Sequence, residues 1–152
     1  MILAFDIGNT HIVPVFFDSE GNIIESFRIP TGLVMTEDTL FSTMKTLTEY
    51  KNIDLENIDR VVVSSVVPHL NEIFSYLSKK YFNVNPVFVT LNKINDEIIL
   101  PSDTERGLGA DRIIDILHAK TLYPDRELII IDFGTAITFD VIKDSVYLGG
   151  CI

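Results

Sequence analysis

The feature that most restricts the possible folds of this chain is a segment that occurs twice. Residues 2–16, ILAFDIGNTHIVPVF, align weakly with residues 128–142, LIIIDFGTAITFDVI, so that Asp6 stands opposite Asp132 and Gly8 opposite Gly134. Each copy has the pattern of an apolar strand, a polar turn that contains glycine, and a second strand. The repeat predicts two hairpins of the same kind, one near each end of the chain.

The turn residues of both copies suit the binding of phosphate. Glycine leaves room for a ligand, and the exposed backbone N–H groups, with Asn9 or Thr135, can donate to phosphate oxygens. The aspartate cannot face a bare phosphate, but it can hold a cation or a cation-bound water. One copy alone would more often be an ordinary hairpin turn with an Asx-type hydrogen bond. Two copies in matching strand contexts favour a pair of hairpins that clamp the phosphates of a nucleotide.

The remaining pattern alternates strands and helices. It predicts an antiparallel meander of strands at 2–5, 11–17 and 22–29, followed by a helix that Thr36 caps. A buried parallel strand at 60–67, a helix from Pro68, a short strand at 85–90 and a helix within 107–120 follow in sequence. This order is typical of a ribonuclease-H-like lobe, an α/β unit with a mixed sheet and helices on both faces. We expect a first lobe at 1–104, with a connecting helix and the start of a second lobe at 105–152.

Composition narrows the function. A chain of 152 residues that is 47% hydrophobic is long enough for one buried core or two small lobes. The net charge of -10 argues against broad nucleic-acid binding, since neutralising phosphates requires clustered Lys and Arg. The chain has no apolar run that could span a bilayer, and Asp6 interrupts the N-terminus too early for a signal peptide, so we expect a cytoplasmic protein. A single cysteine, Cys151, excludes an intramolecular disulfide and a multi-cysteine zinc site.

Five short motifs together resemble one known family. They are DIGNTHIV at 6–13, VVVSSVVP at 61–68, GADRI at 109–113, IIIDFGTAITFDVI at 129–142 and YLGGCI at 147–152. Their order and spacing are similar to those of the type III pantothenate kinases, which belong to the acetate and sugar kinase/actin superfamily. The resemblance implies a ribonuclease-H-like actin/sugar-kinase fold with a mixed sheet and flanking helices. It also implies transfer of the γ-phosphoryl group of ATP to pantothenate, giving 4'-phosphopantothenate in the first step of coenzyme A synthesis.

The same resemblance implies roles for particular residues. Asp111 corresponds to the general base, Arg112 to the residue that binds the pantothenate carboxylate, Asp132 to the ligand of a monovalent cation, K⁺ or NH₄⁺, and Thr135 to an ATP contact. The pantothenate-binding segment corresponds to Gly109, Ala110, Asp111 and Arg112. The first ATP-binding hairpin corresponds to Asp6, Ile7, Gly8, Asn9, Thr10, His11, Ile12 and Val13. The resemblance further implies ATP with Mg²⁺ and a homodimer, with neither nucleic acid nor membrane as a partner.

Alternatives remain at this point. Without the family motif, Asp111 would be an acid at a helix N-terminus and Arg112 a solvated arginine. Asp111, Asp115 and His118 share a helix face, which we interpret as a solvated polar face and not as a metal site. Two other functions fit the same fold: a regulatory accessory factor without catalytic activity, and a different phosphotransferase or phosphatase, such as a sugar kinase or an exopolyphosphatase.

The chain also departs from the family pattern. Pro14 lies inside the predicted second strand, where it removes a ladder hydrogen bond and predicts a bulge or a distorted hairpin. The segment before GADR lacks the Tyr and Asn-Pro that are frequent in the family, which leaves substrate contacts from that loop open. Family members also continue beyond the position that matches Ile152. We therefore expect this chain to be part of a longer protein, with its second lobe only partly present.

Overall fold

The structure, a computed structural model, describes residues 1–32, 35–91, 98–100 and 108–152. Its contacts divide the chain into two compact units, Met1–Phe88 and Val89–Ile152. Each unit contains one copy of the duplicated segment. The predicted lobe boundary after residue 104 lies outside the described residues and stays a prediction.

Unit 1 is built on a six-stranded mixed sheet. Its strands are β1 (Ile2–Ile7), β2 (His11–Phe17), β3 (Ile23–Ser26), β4 (Ile29–Pro30), β5 (Arg60–Ser65) and β6 (Val87–Phe88). The order is β3-β2-β1-β5-β6, with β4 also paired to β2. The β1–β2 pair is antiparallel, whereas β1–β5 and β5–β6 are parallel. The sheet is therefore mixed, as the sequence pattern predicts.

Two helices cover one face of this sheet. Helix α1 (Glu37–Glu49) begins at the predicted cap, where the Thr36 side chain accepts a hydrogen bond from the Thr39 backbone N–H. Helix α2 (Asn71–Phe82) follows a 3-10 turn at Pro68–Leu70. One core joins the sheet to both helices; it includes Leu3, Phe5, Ile7, Ile12, Phe16, Leu40, Met44, Phe74 and Leu77. Among the described residues of unit 1, the predicted helices on both faces are thus found on one face.

The predicted third strand, 22–29, is divided into β3 and β4, and Pro14 accounts for the division. The carbonyl oxygen of Pro14 accepts a hydrogen bond from the Phe27 N–H at 3.1 Å, but proline has no N–H to return one. The ladder is interrupted there, between Ser26 and Ile29. On its other side β2 pairs with β1 without a register shift. Pro14 therefore leaves the first hairpin undistorted and instead breaks the neighbouring strand.

Unit 2 contains one described helix and a separate antiparallel sheet. These elements are α3 (Ala110–Leu122), β7 (Leu128–Phe133), β8 (Ile137–Lys143) and β9 (Val146–Cys151), with the strand order β7-β8-β9. Helix α3 packs on one face of the sheet, where Ile98, Ile116, Ile142 and Tyr147 form a small core. Within the described parts of both units, no helix is long and apolar enough to cross a membrane.

Candidate active site

The first hairpin has a turn whose backbone is held by hydrogen bonds. The Gly8 N–H donates to the His11 carbonyl at 2.9 Å, and the Thr31 hydroxyl donates to the Gly8 carbonyl at 2.8 Å. A Cβ atom at Gly8 would lie 3.3 Å from the His11 carbonyl oxygen, so a side chain would crowd the turn. Asn9 and Thr10 at the tip are exposed. The turn thus presents backbone and polar side chains to solvent, as a phosphate-binding loop requires.

The residues around this turn differ in what they can offer a ligand. Asp6 is exposed at the end of β1, where it pairs in register with Ser64 of the parallel strand β5. Ile7 and Ile12 are 0% exposed and belong to the core, so of the predicted ATP contacts these two can meet a ligand only through their backbone. His11 and Val13 are half-buried. The exposed polar groups on this hairpin are those of Asp6, Asn9 and Thr10.

The second hairpin repeats this arrangement between β7 and β8. The Gly134 N–H donates to the Ala136 carbonyl at 3.0 Å. A Cβ atom at Gly134 would lie 3.3 Å from Asp132 Oδ2, so the Asp132 carboxylate lies close beside the turn. Both Asp132 and Thr135 are exposed. An exposed carboxylate and a threonine therefore flank a glycine turn, as the sequence predicts.

The GADR segment forms the start of α3. Gly109 is the N-cap, with no side-chain capping bond, and Asp111 lies in the first turn, where its Oδ1 accepts the Arg112 backbone N–H at 2.7 Å. The N-terminus of a helix stabilises a carboxylate because the unpaired N–H groups there carry partial positive charge. Asp111 is half-buried. The fold thus fixes a carboxylate at a helix start and leaves part of it accessible.

The Arg112 side chain is engaged in a buried network that sequence reasoning did not identify. Its Nη2 lies 2.6 Å from Asp140 Oδ1, its Nε lies 3.0 Å from Asp140 Oδ2, and Nη2 also donates to the Tyr147 hydroxyl at 3.0 Å. The Tyr147 hydroxyl in turn donates to Asp140 Oδ1 at 2.7 Å. The side chains of Arg112 and Asp140 are 12% and 2% exposed. The guanidinium expected to bind a substrate carboxylate is therefore already paired with one from its own chain.

Gly150 makes this network possible. A Cβ atom at Gly150 would lie 2.1 Å from Arg112 Nη2 and 2.6 Å from Asp140 Oδ1, distances at which atoms collide. Gly150 is paired with Asp140 across the β8–β9 ladder, so the missing side chain opens the space that the guanidinium occupies. Burial, together with the hydrogen bond to Asp140, raises the pKa of Tyr147 to about 12. Tyr147 is therefore a neutral hydrogen-bond donor at physiological pH.

A sequence signal for this network did exist. Asp140 alternates with Thr138 and Ile142 on the face of β8 that turns inward, and a charged residue at a buried strand position needs a partner. The motif YLGGCI also contains Tyr147 and Gly150. The identity of the partner was not readable, because Arg112 is 28 positions away from Asp140.

Comparison with known proteins identifies the family. The family model described as type III pantothenate kinase matches residues 2–152. The chain belongs to the type III pantothenate kinase family. It is 45% identical over 152 residues to a type III pantothenate kinase of Fusobacterium nucleatum, which covers all of this chain and 59% of that protein. The corresponding protein of Kosmotoga olearia is 40% identical over 155 residues, covering all of this chain and 57% of the relative. The chain thus spans somewhat less than 60% of the length of these curated relatives.

Two solved structures resemble this chain in fold. A protein from Sinorhizobium meliloti, provisionally described as a 2-dehydro-3-deoxygalactonokinase, matches with a TM-score of 0.56 at 10% identity, over 99% of this chain and 52% of that one. A Campylobacter jejuni protein, provisionally described as a Baf family transcriptional activator, matches with a TM-score of 0.50 at 20% identity, over 98% of this chain and 52% of that one. At such identities the likeness concerns the fold alone, and it supports the actin-like sugar-kinase architecture.

A kinase family implies a divalent cation that binds together with ATP. The donor atoms of the two hairpins show whether these residues suit such a cation. No group of three or more His, Cys, Asp or Glu residues suited to a metal ion occurs within the described residues. Asp6 and Asp132 each offer one exposed carboxylate beside a turn. Oxygen donors suit Mg²⁺, which is commonly bound through one or two carboxylates, water and substrate phosphates. The donor set therefore fits cations that arrive with a nucleotide.

Proposed function

We propose that the protein to which this chain belongs is a pantothenate kinase, which transfers the γ-phosphoryl group of ATP to the primary hydroxyl of pantothenate. The observation that carries this proposal is the family match over residues 2–152. The two glycine hairpins with exposed carboxylates and the carboxylate at the start of α3 support it, because phosphoryl transfer depends on phosphate positioning and on an oriented nucleophile. The activity supplies the first step of coenzyme A synthesis.

The two hairpins have the groups needed to bind ATP phosphates. In the first, the backbone from Asp6 to Val13 with Asn9 and Thr10 supplies donors, and in the second Thr135 supplies a hydroxyl. Mg²⁺ bound with ATP would meet the carboxylate of Asp6, and K⁺ or NH₄⁺ that of Asp132. These cations supply positive charge against the phosphates. What the protein itself contributes is the orientation of those phosphates by fixed N–H and hydroxyl groups.

The residues at the start of α3 bind and activate pantothenate, the substrate that accepts the phosphoryl group. Asp111 is the general base in this proposal: it accepts the proton of the pantothenate hydroxyl as the oxygen attacks the phosphorus. Its Oδ1 bond to the Arg112 N–H holds the carboxylate at the helix start. Gly109, Ala110 and Arg112 complete the segment that binds pantothenate. Ala110 is only 8% exposed, so its contribution comes from its backbone.

A coupled assay of ADP release tests the proposed function on the full-length protein. Pantothenate, simple sugars and acetate compete as acceptors, and we expect turnover with pantothenate. Asp111→Asn should lower kcat by roughly two to four orders of magnitude while ATP binding stays close to wild type. Asp125→Asn, an exposed acid in the turn after α3, is the matched control and should change neither. Turnover with a sugar or acetate instead would assign another phosphotransferase, and near-normal turnover of Asp111→Asn would remove it from the mechanism.

The monovalent cation requires its own measurement. Replacing Na⁺ by K⁺ or NH₄⁺ at constant ionic strength should raise the activity of the wild type, and Asp132→Ala should abolish the difference. Mg²⁺ stays necessary in both proteins. Identical rates of the wild type in every monovalent salt would contradict the role of Asp132.

We further propose, from the family resemblance, that the full-length protein is a cytoplasmic homodimer. Light scattering measures its mass in solution directly, and a monomeric mass at assay concentrations would contradict the dimer. Fractionation of the source cells tests the compartment in the same way.

A further inference from the structure

The Arg112 network determines what this residue can do for a substrate. Asp140 engages the Nε and Nη2 nitrogens of the guanidinium, and Tyr147 receives a further bond from Nη2. Those two nitrogens form one of the two edges on which arginine binds a carboxylate with two parallel bonds, and the bond to Tyr147 engages Nη2, the nitrogen that the other edge shares. With Asp140 on that edge, the positive charge of Arg112 is balanced within the protein. A carboxylate of a substrate cannot form the same paired contact there.

The network is also tied to the helix start that carries Asp111. Arg112 follows Asp111 directly and donates its backbone N–H to the Asp111 carboxylate at 2.7 Å. Its side chain reaches from the first turn of α3 to the middle of β8 and to Tyr147 of β9. Asp140 and Tyr147 are each at most 2% exposed, so both anchors lie in packed surroundings where side chains move little. The first turn of α3 is thereby fastened to two strands.

We propose that Asp140 and Tyr147 are positioning residues, which hold Arg112 and through it the Asp111 carboxylate in the geometry that the reaction requires. The inference rests on the proposed pantothenate kinase function and deepens it, since it names two residues of that site outside the GADR segment. Gly150 is part of the same network, because the side chain of any larger residue would occupy the position of the Arg112 guanidinium. Arg112 itself then contributes to substrate binding with the remaining Nη1 corner, as a hydrogen-bond donor.

Kinetics of conservative variants of the full-length protein test this role. Tyr147→Phe removes one hydroxyl and keeps the ring, and we expect kcat/KM for pantothenate to fall roughly 5- to 10-fold, the size of one lost hydrogen bond, with KM for ATP unchanged. Asp140→Asn removes the charge and should lower kcat/KM roughly 100-fold or more, with partial recovery in Asp140→Glu. Lys143→Gln, on the same strand as Asp140, is the matched control, because it breaks an exposed ion pair with Glu127 and should leave both constants unchanged.

A double-mutant cycle separates positioning through Arg112 from a general structural role. If Asp140 acts through Arg112, Asp140→Asn should have little further effect on kcat/KM in an Arg112→Ala background. Full additivity of the two substitutions, or wild-type kinetics in both Tyr147→Phe and Asp140→Asn, would overturn the proposal.

Hydrogen exchange tests the positioning role without catalytic turnover, so its result is independent of whether the proposed kinase activity is found. In Tyr147→Phe we expect the amides of Arg112 and Ile113, which are hydrogen-bonded at the start of α3, to exchange roughly 5-fold faster or more, whereas those of β1 and β2 keep their wild-type rates. Absence of pantothenate-dependent ADP release by the wild type would reject the proposed function, and the exchange result would still decide the positioning role. Unchanged exchange at the start of α3 would refute that role.

Discussion

Substitution of Gly150 by alanine is the sharpest perturbation of unit 2. The added Cβ would lie 2.1 Å from Arg112 Nη2, 2.2 Å from the Phe139 carbonyl oxygen and 2.6 Å from Asp140 Oδ1. The guanidinium could leave, but the Phe139 oxygen belongs to the backbone of the paired strand β8 and cannot move without disturbing the ladder. One methyl group thus strains the sheet and separates a buried ion pair.

The size of the effect follows from these two consequences. Overpacking a close-packed site costs about 1–3 kcal/mol, and leaving one partner of a buried ion pair without the other costs about 3–5 kcal/mol. Because the displaced Arg112 can recover some solvation at the surface, the two contributions do not add fully. We expect Gly150→Ala to lower the free energy of unfolding of unit 2 by about 3–5 kcal/mol.

Hydrogen exchange in the presence of urea measures the free energy of unfolding separately for each segment of the chain. Amides of α3 and β8 report on unit 2, and those of β1 and β5 serve as the internal reference. Gly32→Ala is the matched control, because a Cβ at Gly32 meets nothing within 4 Å and its φ is not positive. A Gly150→Ala protein whose α3 and β8 amides keep wild-type stability within about 0.5 kcal/mol would refute the role assigned to Gly150.

Three further predictions concern stability. The pKa of Tyr147 is about 12 in the folded chain against 10.0 for a free phenol, so the hydroxyl adds stability that is complete below pH 10 and is lost as pH rises to 12. The free energy of unfolding of the wild type should therefore fall by about 2–3 kcal/mol more than that of Tyr147→Phe over this range. Equal losses in the two proteins would contradict this prediction. Ile7→Ala, at a position 0% exposed, should cost about 2–5 kcal/mol, whereas Phe133→Ala, at the aligned position that is 78% exposed, should stay within about 0.5 kcal/mol in the same urea titration. Ser64→Ala removes a buried hydroxyl that has no hydrogen-bond partner among the described residues, and it should be neutral or stabilising. Ser78→Ala removes a 2.7 Å bond to the Phe74 carbonyl and should cost about 1 kcal/mol, so the reverse order of melting temperatures would contradict this prediction.

Local patterns predicted much of the fold. The cap at Thr36, the start of α3 at Gly109 and the buried strand β5 were each readable within a few residues, because capping and alternation depend on near neighbours. The division of the third strand was not foreseen, since it results from a missing N–H on the adjacent strand and not from residues 22–29 themselves. Of the two effects predicted for Pro14, the distorted hairpin is not found, and the irregular pairing lies between β2 and its other neighbours, β3 and β4.

The candidate site was predictable as a set of motifs but not as a set of contacts. Asp6, Asp132 and Asp111 were singled out by the repeat and by the family resemblance, and the structure has all three at the ends of strands or at a helix start. The partner of Arg112 depends on how α3 packs on β8, a contact between distant parts of the chain. Spacing along a sequence does not encode such a contact.

The two hairpins differ in strand register, and this difference puts the aligned residues Asp6 and Asp132 on different faces of their sheets relative to the core. Ile7 pairs with Ile12 across the first turn, whereas Phe133 pairs with Ile137 across the second, so the second turn is one residue shorter. A change of one residue moves the first strand of a hairpin to the opposite face relative to the second. Asp6 consequently shares the face of Val13, away from the core that α1 and α2 cover, whereas Asp132 shares the face of Thr138, Asp140 and Ile142, on which α3 packs. The shorter turn thus puts Asp132 on the same side of its sheet as the helix that carries Asp111 and Arg112, an arrangement that supports the roles proposed above for Asp132 and Asp111 in one reaction.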